Sequence, residues 1–371
     1  MEPAVGAWCT GSSVCFRLRD HDQRLRSVRL KSSAVRDGDF TYLPESHTWE
    51  LRLPRPAVQR LEYRIELTFP DGGSETICDP DNPRRAGGGY GDSSVLWCDG
   101  YREPDWLHLP HAPGSWRDVY LPLAAVRSEM VARVWSPGVP ADRVPADRVP
   151  ADLAPADRVP TDRVLVAHDG PDYQRYGELG RYTATMIGAG RLPPYHLVLL
   201  PPGERYEWYS ASPAYTRALA TEVLPKLAAE LGTDRPVVGV GASLGALAML
   251  HAQRRHPARF AALFLQSGSF FQPRFDRQES DFRRYLRIVR FTGRVLRDRD
   301  SPGAGPRACP AVLTCGAVEE NLANNRDMAS TLRRQGYPAG FAEVPDAHNW
   351  VGWRDGFDPH LTSLLQRVWS D

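Results

Sequence analysis

Residues 237–250 read VVGVGASLGALAML and carry the pattern from which the fold class is inferred. The pentapeptide Gly241-Ala242-Ser243-Leu244-Gly245 lies between an apolar run, PVVGV, and a helix-forming run, LGALAMLHAQRRH. A G-x-S-x-G pattern between a strand and a helix is typical of a sharp turn that lifts a serine hydroxyl above a sheet. The N–H of Leu244 would lie at the helix N-terminus, where it can stabilise an oxyanion. The stretch predicts a nucleophile, Ser243, and an oxyanion donor, Leu244; the alternative is an ordinary packed strand-to-helix turn.

Short apolar runs lie on both sides of this stretch and alternate with helical patterns. They are typical of strands buried on both faces, and they read RVLVAHDG, YHLVLLPP, PVVGVGAS, AALFLQSGS, PAVLTCGA and AGFAEVP. DVYLPL and EMVARVWSP predict a hairpin or sheet edge, and helices are expected at 213–231, 244–256, 321–336 and 355–369. This alternation predicts a mostly parallel sheet covered on both sides. The expected fold class is therefore α/β, with an α/β-hydrolase sandwich over residues 116–371.

A nucleophilic serine needs a base, and the base needs an acid that orients it. In α/β-hydrolases these residues follow in the order serine, acid, histidine. His348 comes directly after the strand end GFAEVPDA, whereas the other histidines beyond Ser243 fall inside predicted helices. Glu319 stands three residues after Gly316, at the end of another strand, and Asp346 is the alternative acid. The sequence therefore predicts His348 as base and Glu319 as acid.

The second oxyanion donor is expected in the loop after VLVAHDG. Pro171 follows Gly170 directly, and proline has no N–H to donate. The donor is therefore expected to be Gly170, Asp172 or a neighbour.

The N-terminal part of the chain has a different residue pattern. SVCFRLRD, RSVRLKS, TWELRLP and LEYRIELTFPDGG alternate apolar and polar residues between turn-formers, which predicts a small antiparallel β-sandwich over residues 1–105. A proline-rich linker, 106–115, follows. Residues 138–163 contain a repeated pentad of the PADRV type, in which proline recurs every fifth residue. A regular helix is excluded there, so we expect a solvated surface loop between two strands.

Composition narrows the function classes. The formal net charge of +1 does not favour binding to nucleic acid or to a membrane surface. No stretch approaches the roughly 18 apolar residues of a membrane span. The opening residues lack the pattern of a signal peptide, and the six cysteines are scattered, so a reduced, cytoplasmic protein is expected, with one non-local disulfide as the alternative. Zinc and nucleotide motifs are absent from the sequence, so neither a metal nor another cofactor is expected.

The chain resembles members of the enterochelin (enterobactin) esterase family, within the broader esterase-D-like α/β-hydrolases. The likeness covers nearly the whole chain and rests on DPDNP, GYGDSSVLWCDGYREPDW, HDGPDY, ERYEWYSASPAYTRALATEVLPKL, GASLGALAMLHAQRRHPARFAALFLQSGSFF, CGAVEENLANNRDMASTLRRQGY and HNWVGWRDGF. The resemblance implies an immunoglobulin-like module before the hydrolase. It also implies a triad of Ser243, Glu319 and His348. The family's oxyanion donor after DG would fall on Pro171, so that position does not carry over.

The resemblance further implies hydrolysis of ester bonds in catecholate siderophore lactones, often as their ferric complexes. Such a substrate is anionic, so Arg205 and Arg354 are candidate contacts. Trp350 and Trp353 could line an aromatic pocket, or simply pack the last helix. The alternatives are an acyltransferase of the same fold, a general carboxylesterase, and a binding module on a catalytically silent scaffold. The expected partner is a small-molecule ester.

Overall fold

The computed structural model describes residues 5–138, 159–298 and 308–370. The chain forms two compact units. The first contains Met1–Glu103 together with Gly316–Glu320 and Glu343–Gly352, and the second contains Pro104–Cys315, Asn321–Ala342 and Trp353–Asp371. Two short segments from the C-terminal half therefore pack with the N-terminal residues. The predicted boundaries at 105 and 116 assigned both segments to the hydrolase domain.

The first unit is an antiparallel β-structure. Its strands are β1 Gly6–Cys9, β2 Ser13–Arg19, β3 Ser27–Lys31, β4 Gly38–Asp39, β5 Thr41–Leu43, β6 Thr48–Pro54, β7 Arg60–Thr68, β8 Ser74–Ile77, β9 Arg85–Ala86 and β10 Ser93–Trp97. One sheet has the order β1-β2-β6-β5; the other has the order β4-β3-β7-β10-β9, with β8 also paired to β7. Residues Leu61, Tyr63, Ile65 and Leu67 of β7 are buried, which is the period of two that the sequence indicates. The all-β prediction is confirmed.

Cys9 and Cys98 form a disulfide, with their Cα atoms 5.4 Å apart. They lie at the end of β1 and directly after β10, and 89 residues separate them in the chain. The scattered cysteines favoured a reduced protein, with one non-local disulfide as the alternative, and the structure contains that disulfide. Sequence spacing could not indicate it, because only the packing of the sandwich brings the two positions together.

The second unit is built on a mixed sheet with the order β11-β12-β14-β13-β15-β16-β17-β18. The strands are β11 Gly114–Leu123, β12 Ser128–Pro137, β13 Val164–Ala167, β14 His196–Leu199, β15 Val237–Ala242, β16 Phe260–Gln266, β17 Ala311–Gly316 and β18 Ala339–Val344. β11 and β12 form the predicted antiparallel hairpin, and β13 pairs in parallel with β14 and β15, as β15 does with β16 and β16 with β17. Every residue of β13, β14 and β15 is buried, which confirms the α/β fold class.

Helices connect these strands. They are α1 Gly170–Arg175, α2 Leu179–Gly188, α3 Arg205–Trp208, α4 Pro213–Ala218, α5 Leu224–Leu231, α6 Leu244–Arg255, α7 Tyr285–Arg297, α8 Leu322–Arg334, α9 Trp350–Asp355 and α10 Thr362–Trp369. A π-helical turn, Leu219–Val223, joins α4 to α5, so the predicted helix 213–231 is continuous. Five of these helices, α1, α2, α3, α7 and α9, were not predicted. Most of α2 is buried, so it lacks the polar face that marks an amphipathic helix.

Most of the repeat loop, residues 139–158, lies outside the described residues. The residues that flank this segment are hydrogen-bonded to each other: the Val159 N–H donates to the Pro137 carbonyl oxygen at 3.0 Å. In the described part of the chain, no helix is long and apolar enough to cross a membrane.

Candidate active site

Ser243 occupies a strained turn between β15 and α6. Its φ of 54° and ψ of −120° lie where residues other than glycine are rarely found, at a cost of about 1–3 kcal/mol. The Ser243 N–H donates to the Gln266 carbonyl at 2.9 Å, and the Ser269 N–H donates to the Ser243 carbonyl at 3.1 Å. These two backbone bonds, which involve the adjacent strand β16 and the loop after it, hold the serine in place. The turn has the form that the G-x-S-x-G pattern predicts.

Glycine is required beside the serine because two backbone segments cross there. A Cβ atom on Gly241 would lie 2.4 Å from the carbonyl carbon of Gly245, closer than any side chain tolerates. The Ser243 hydroxyl lies 3.1 Å from the hydroxyl of Ser269, which is buried in the loop after β16. Ser269 was not predicted as a site residue, since neither its spacing nor its residue type distinguishes it.

His168 is a buried residue that hydrogen-bonds to the turn. Its Nδ1 lies 3.1 Å from the Gly245 carbonyl oxygen and its Nε2 lies 2.9 Å from the Tyr215 hydroxyl. Because a carbonyl can only accept, Nδ1 carries the proton, and Nε2 accepts from the tyrosine. Complete burial lowers the pKa of His168 to about 4, so the imidazole is neutral. A neutral imidazole suits this site because both of its hydrogen bonds are made without a buried charge.

Glu319 and His348 form a hydrogen-bonded pair in the first unit. His348 Nδ1 lies 2.7 Å from Glu319 Oε2, and Glu319 Oε1 accepts the Gly316 N–H at 2.7 Å. The glutamate side chain is 2% exposed, whereas that of His348 is 38% exposed. A carboxylate only accepts, so Nδ1 carries the proton and Nε2 is the basic atom of the ring. This is the tautomer that a general base requires.

The other predicted acid, Asp346, is not bonded to His348 in this arrangement. Its Oδ2 accepts from the Arg60 Nε at 3.0 Å, and its Oδ1 accepts the Ala347 N–H at 2.7 Å. Of the two candidate acids, Glu319 is therefore the one whose carboxylate contacts the imidazole of His348.

The predicted donors in the loop after β13 are engaged elsewhere. The Gly170 N–H donates to the Leu200 carbonyl at 2.8 Å, and the Asp172 N–H donates to the Asp169 carbonyl at 3.0 Å. The chain passes from β13 into α1 at Asp169, whose φ is 51°, and this turn directs both N–H groups into the backbone. The structure therefore corrects the expectation that Gly170 and Asp172 offer their N–H groups to substrate. Leu244 begins α6, and the first N–H groups of a helix have no acceptor within it.

The predicted arginine contacts hold the framework together. Arg205 forms a two-point ion pair with the buried Asp169, with Nε–Oδ1 and Nη2–Oδ2 distances of 2.8 Å each. Arg354 is buried, and its Nη2 lies 2.8 Å from Asp355 Oδ1. Since both guanidinium groups are bound by carboxylates, the structure gives each of them a structural role. Substrate contact by either residue stays a prediction.

The two tryptophans differ in burial. Trp353 is buried and donates from Nε1 to the Ser267 hydroxyl at 2.9 Å, so it packs the framework. Trp350 begins α9 and is half-buried. Their proposed contact with a substrate ring stays a prediction.

An arginine-lined cavity of about 600 Å³ occurs elsewhere in the second unit. Arg287, Arg290 and Arg294 of α7 line it, and Ser243 is not among the lining residues. Burial, and then the nearby arginines, lower the pKa of His251 in its wall to about 3. This cavity was not predicted from the sequence because α7 was not, although the apolar spacing of Ile288, Phe291 and Val295 indicates the helix.

Known proteins share both the family and the fold. The model of the family described as "Putative esterase" matches residues 149–364, which is more than half of the chain. The uncharacterized protein YjcH of Bacillus subtilis (strain 168) is 25% identical over 218 residues, covering 54% of this chain and 84% of that protein.

Solved structures match over almost the full length. The enterobactin esterase FES from Shigella flexneri, in the presence of 2,3-di-hydroxy-N-benzoyl-serine, has a TM-score of 0.72 at 18% identity and covers 98% of this chain and 96% of its own. The ferric enterobactin esterase (fes) from Salmonella typhimurium has a TM-score of 0.72 at 20% identity, and the match covers 96% of this chain and 93% of that one. At these identities the likeness concerns the fold. Because the esterase model matches more than half of the chain, the chain belongs to the esterase family and is an ester hydrolase.

Proposed function

We propose that this protein is a serine esterase in which Ser243 is the nucleophile, His348 the general base and Glu319 the acid that orients it. The observation that carries the proposal is the 2.7 Å bond between His348 Nδ1 and Glu319 Oε2, which sets the tautomer of the base. The strained turn at Ser243 supports the role of the nucleophile. The chain order of serine, acid and histidine is also that of the α/β-hydrolases.

The first half-reaction forms an acyl-enzyme. The Ser243 oxygen attacks the ester carbonyl carbon as His348 Nε2 accepts the hydroxyl proton, and the carbonyl oxygen becomes an oxyanion. The N–H of Leu244, at the positive end of α6, stabilises this oxyanion. Glu319 stabilises the imidazolium through Nδ1. When the tetrahedral intermediate collapses, the C–O bond of the ester breaks and His348 gives its proton to the departing alcohol.

The second half-reaction releases the acid. Water attacks the acyl carbon, and His348 takes one of its protons. The second tetrahedral intermediate then breaks its bond to the Ser243 oxygen, which recovers the proton from the imidazolium. The net reaction consumes one water and yields one alcohol and one carboxylic acid. An acyltransferase would differ only in that another alcohol or an amine replaces the water.

We propose a catecholate siderophore lactone, or a similar oligoester, as the substrate. The support is the full-length fold shared with enterobactin esterases, one of which was solved in the presence of enterobactin. A trilactone offers several equivalent esters, and each cleavage leaves a hydroxyl and a carboxylate on the product. A cytoplasmic location is part of the same proposal, although the Cys9–Cys98 disulfide is a bond more common in oxidising compartments.

Parallel assays of wild type and Ser243→Ala test the proposal. Each protein is given a short p-nitrophenyl ester and a catecholate trilactone with and without ferric iron. Ser330→Ala, a change at an exposed serine of α8, is the matched control.

We expect wild type and Ser330→Ala to cleave at least one ester, and Ser243→Ala to lose that activity by at least about 10³-fold. Preference for the trilactone would support the siderophore substrate, and preference for the simple ester would support a general carboxylesterase. Equal cleavage by all three proteins would exclude Ser243 as the nucleophile. If an added alcohol or amine captures the acyl group faster than water does, the acyltransferase alternative is favoured.

A further inference from the structure

Arg60, the first residue of β7, is a charged residue buried in the first unit. Its residue surface is 1% exposed, and its guanidinium contacts the segment that carries His348. Nε lies 3.0 Å from Asp346 Oδ2, and Nη2 lies 2.5 Å from Asn349 Oδ1. These two acceptors flank His348 in the sequence. One planar group therefore binds the chain on both sides of the histidine.

Hydrogen bonds within the segment around His348 also hold its conformation. The Asn349 side-chain amide donates to Asp346 Oδ1 at 2.7 Å, and the Ala347 N–H donates to the same oxygen at 2.7 Å. Asn349 Oδ1 also accepts the Gly352 N–H at 2.8 Å. A second anchor comes from the residue before Arg60, since the Gln59 N–H donates to the Pro345 carbonyl at 2.9 Å. The turn is thus held by the N-terminal end of β7.

Such an arrangement is costly if its only purpose is stability. Burial opposes the charge of Arg60, but the carboxylates of Asp346 and Glu62 outweigh it and raise the pKa of Arg60 above its usual value. A buried ion pair often stabilises a protein no better than apolar residues of the same volume. What a guanidinium does supply is a rigid, planar set of donors that fixes the relative positions of its acceptors.

We propose that Arg60 is a positioning residue for the general base. By fixing Asp346 and Asn349 it orients the turn so that His348 Nδ1 stays on Glu319, and Nε2 is presented in one direction. This inference rests on the proposed function, in which His348 is the base. It gives the N-terminal β-structure a part in catalysis, since its strand β7 supplies the group that holds the turn.

Arg60→Lys is the decisive variant, because lysine keeps the charge but offers no planar pair of donors that can reach both acceptors. Arg64→Lys is the matched control on the same strand, where Arg64 bonds the carbonyls of Tyr90 and Thr76. The measurements are kcat and KM per folded protein, with the folded fraction determined by circular dichroism. A second readout is the far-downfield NMR resonance of the His348 Nδ1 proton, which reports the bond to Glu319.

We expect Arg60→Lys to lower kcat by about 10²-fold with little change in KM, because small misplacements of a catalytic group have effects of this size. The Nδ1 resonance should broaden or disappear. Arg64→Lys should retain both. In Arg60→Ala, added guanidinium ion should restore part of kcat, and it should not do so in Arg64→Ala.

The proposal is overturned if Arg60→Lys keeps the wild-type kcat per folded site, or if its Nδ1 resonance is unchanged. If Arg60→Lys does not fold, Asn349→Ala removes one of the two anchored acceptors and the same two readouts decide. His348→Asn and Ser243→Ala in the same assay separate this inference from the proposed function. Full activity in either of them contradicts the function itself, whereas their inactivity beside an unaffected Arg60→Lys contradicts only the role of Arg60.

Discussion

At the scale of single residues, Glu319 illustrates how one hydrogen bond sets the chemistry of another group. One of its oxygens is bound to the Gly316 N–H, so the other must face His348. In Glu319→Gln the carbonyl oxygen would take the place on Gly316 and the NH₂ group would face Nδ1. The imidazole would then carry its proton on Nε2, where it cannot act as a base. We expect kcat to fall by about 10³- to 10⁴-fold in an ester hydrolysis assay.

Glu320→Gln is the matched control for that prediction, because Glu320 is the next residue in the chain and is exposed. Its kcat should stay within a factor of two or so of the wild type. Equal losses in the two variants would mean that the bond between Glu319 and His348 has no part in the reaction.

His168 makes the stability of the protein depend on pH. Its folded pKa of about 4 lies below the usual 6.5, so between these values the unfolded chain binds a proton that the folded chain does not. Stability is therefore lost as the pH falls from 6.5 towards 4, by at most about 3 kcal/mol from this residue. His168→Asn keeps a donor for the Gly245 carbonyl but cannot titrate.

Urea unfolding between pH 4 and pH 7 measures this effect. His168→Asn should be less stable than wild type at pH 7 but should lose less stability on acidification. The exposed His108, changed to Asn, should leave the wild-type slope unaltered. Identical slopes for wild type and His168→Asn would show that this imidazole does not stay neutral in the folded protein.

At the scale of elements, the turn between β15 and α6 depends on the close approach of Gly241 and Gly245. In Gly241→Ala the new methyl group would meet the Gly245 backbone at 2.4 Å, and backbone atoms cannot move aside as a flexible side chain can. We expect a loss of about 3 kcal/mol in the free energy of unfolding, together with a loss of esterase activity.

Gly11→Ala provides the comparison, since a Cβ at Gly11 meets nothing within 4 Å. Calorimetry and the esterase assay should both find it close to wild type. If Gly241→Ala were as stable and as active as Gly11→Ala, the turn would have to be looser than the structure has it.

The elements themselves were largely predictable. The apolar runs of β13 to β17 are short, buried on both faces and separated by turn-formers. Strands with this pattern can be predicted from a few neighbouring residues. α2 was not, because burial on nearly all sides removes the polar face that marks a helix. The loop after β13 was misjudged for a related reason. The sequence identifies which N–H groups exist there, but the path of the chain into α1 decides which of them are already bonded.

At the scale of the whole molecule, the Cys9–Cys98 disulfide joins the two ends of the N-terminal β-structure. A covalent link across 89 residues removes many conformations from the unfolded chain, which stabilises the folded state by about 4.6 kcal/mol. Reduction, or Cys9→Ser, should lower the urea midpoint accordingly. Intact mass measured without reductant checks that the bond is present.

Cys78→Ser tests the specificity of that effect, since Cys78 is outside the disulfide and half-buried. Its midpoint should remain near the wild-type value and should still fall on reduction. A midpoint that does not respond to reductant in wild type would contradict a stabilising disulfide.

Features that depend on neighbours in the chain could be predicted from the sequence alone. These are the alternation of strands and helices, the small residues around Ser243, and the order of Ser243, Glu319 and His348. The period of a strand and the space inside a turn each constrain only a few consecutive residues. Their effects therefore appear as patterns in the sequence itself.

Contacts between distant groups, by contrast, could be identified only from the folded structure. Arg60 and Asp346 are 286 positions apart in the chain, and His168 reaches Tyr215 across 47. Contacts of this kind arise when packed elements bring buried polar groups together, and each such group must then find a partner or lose stability. Residue type and spacing say that a partner is needed, but only the packing of the folded chain determines which residue it is.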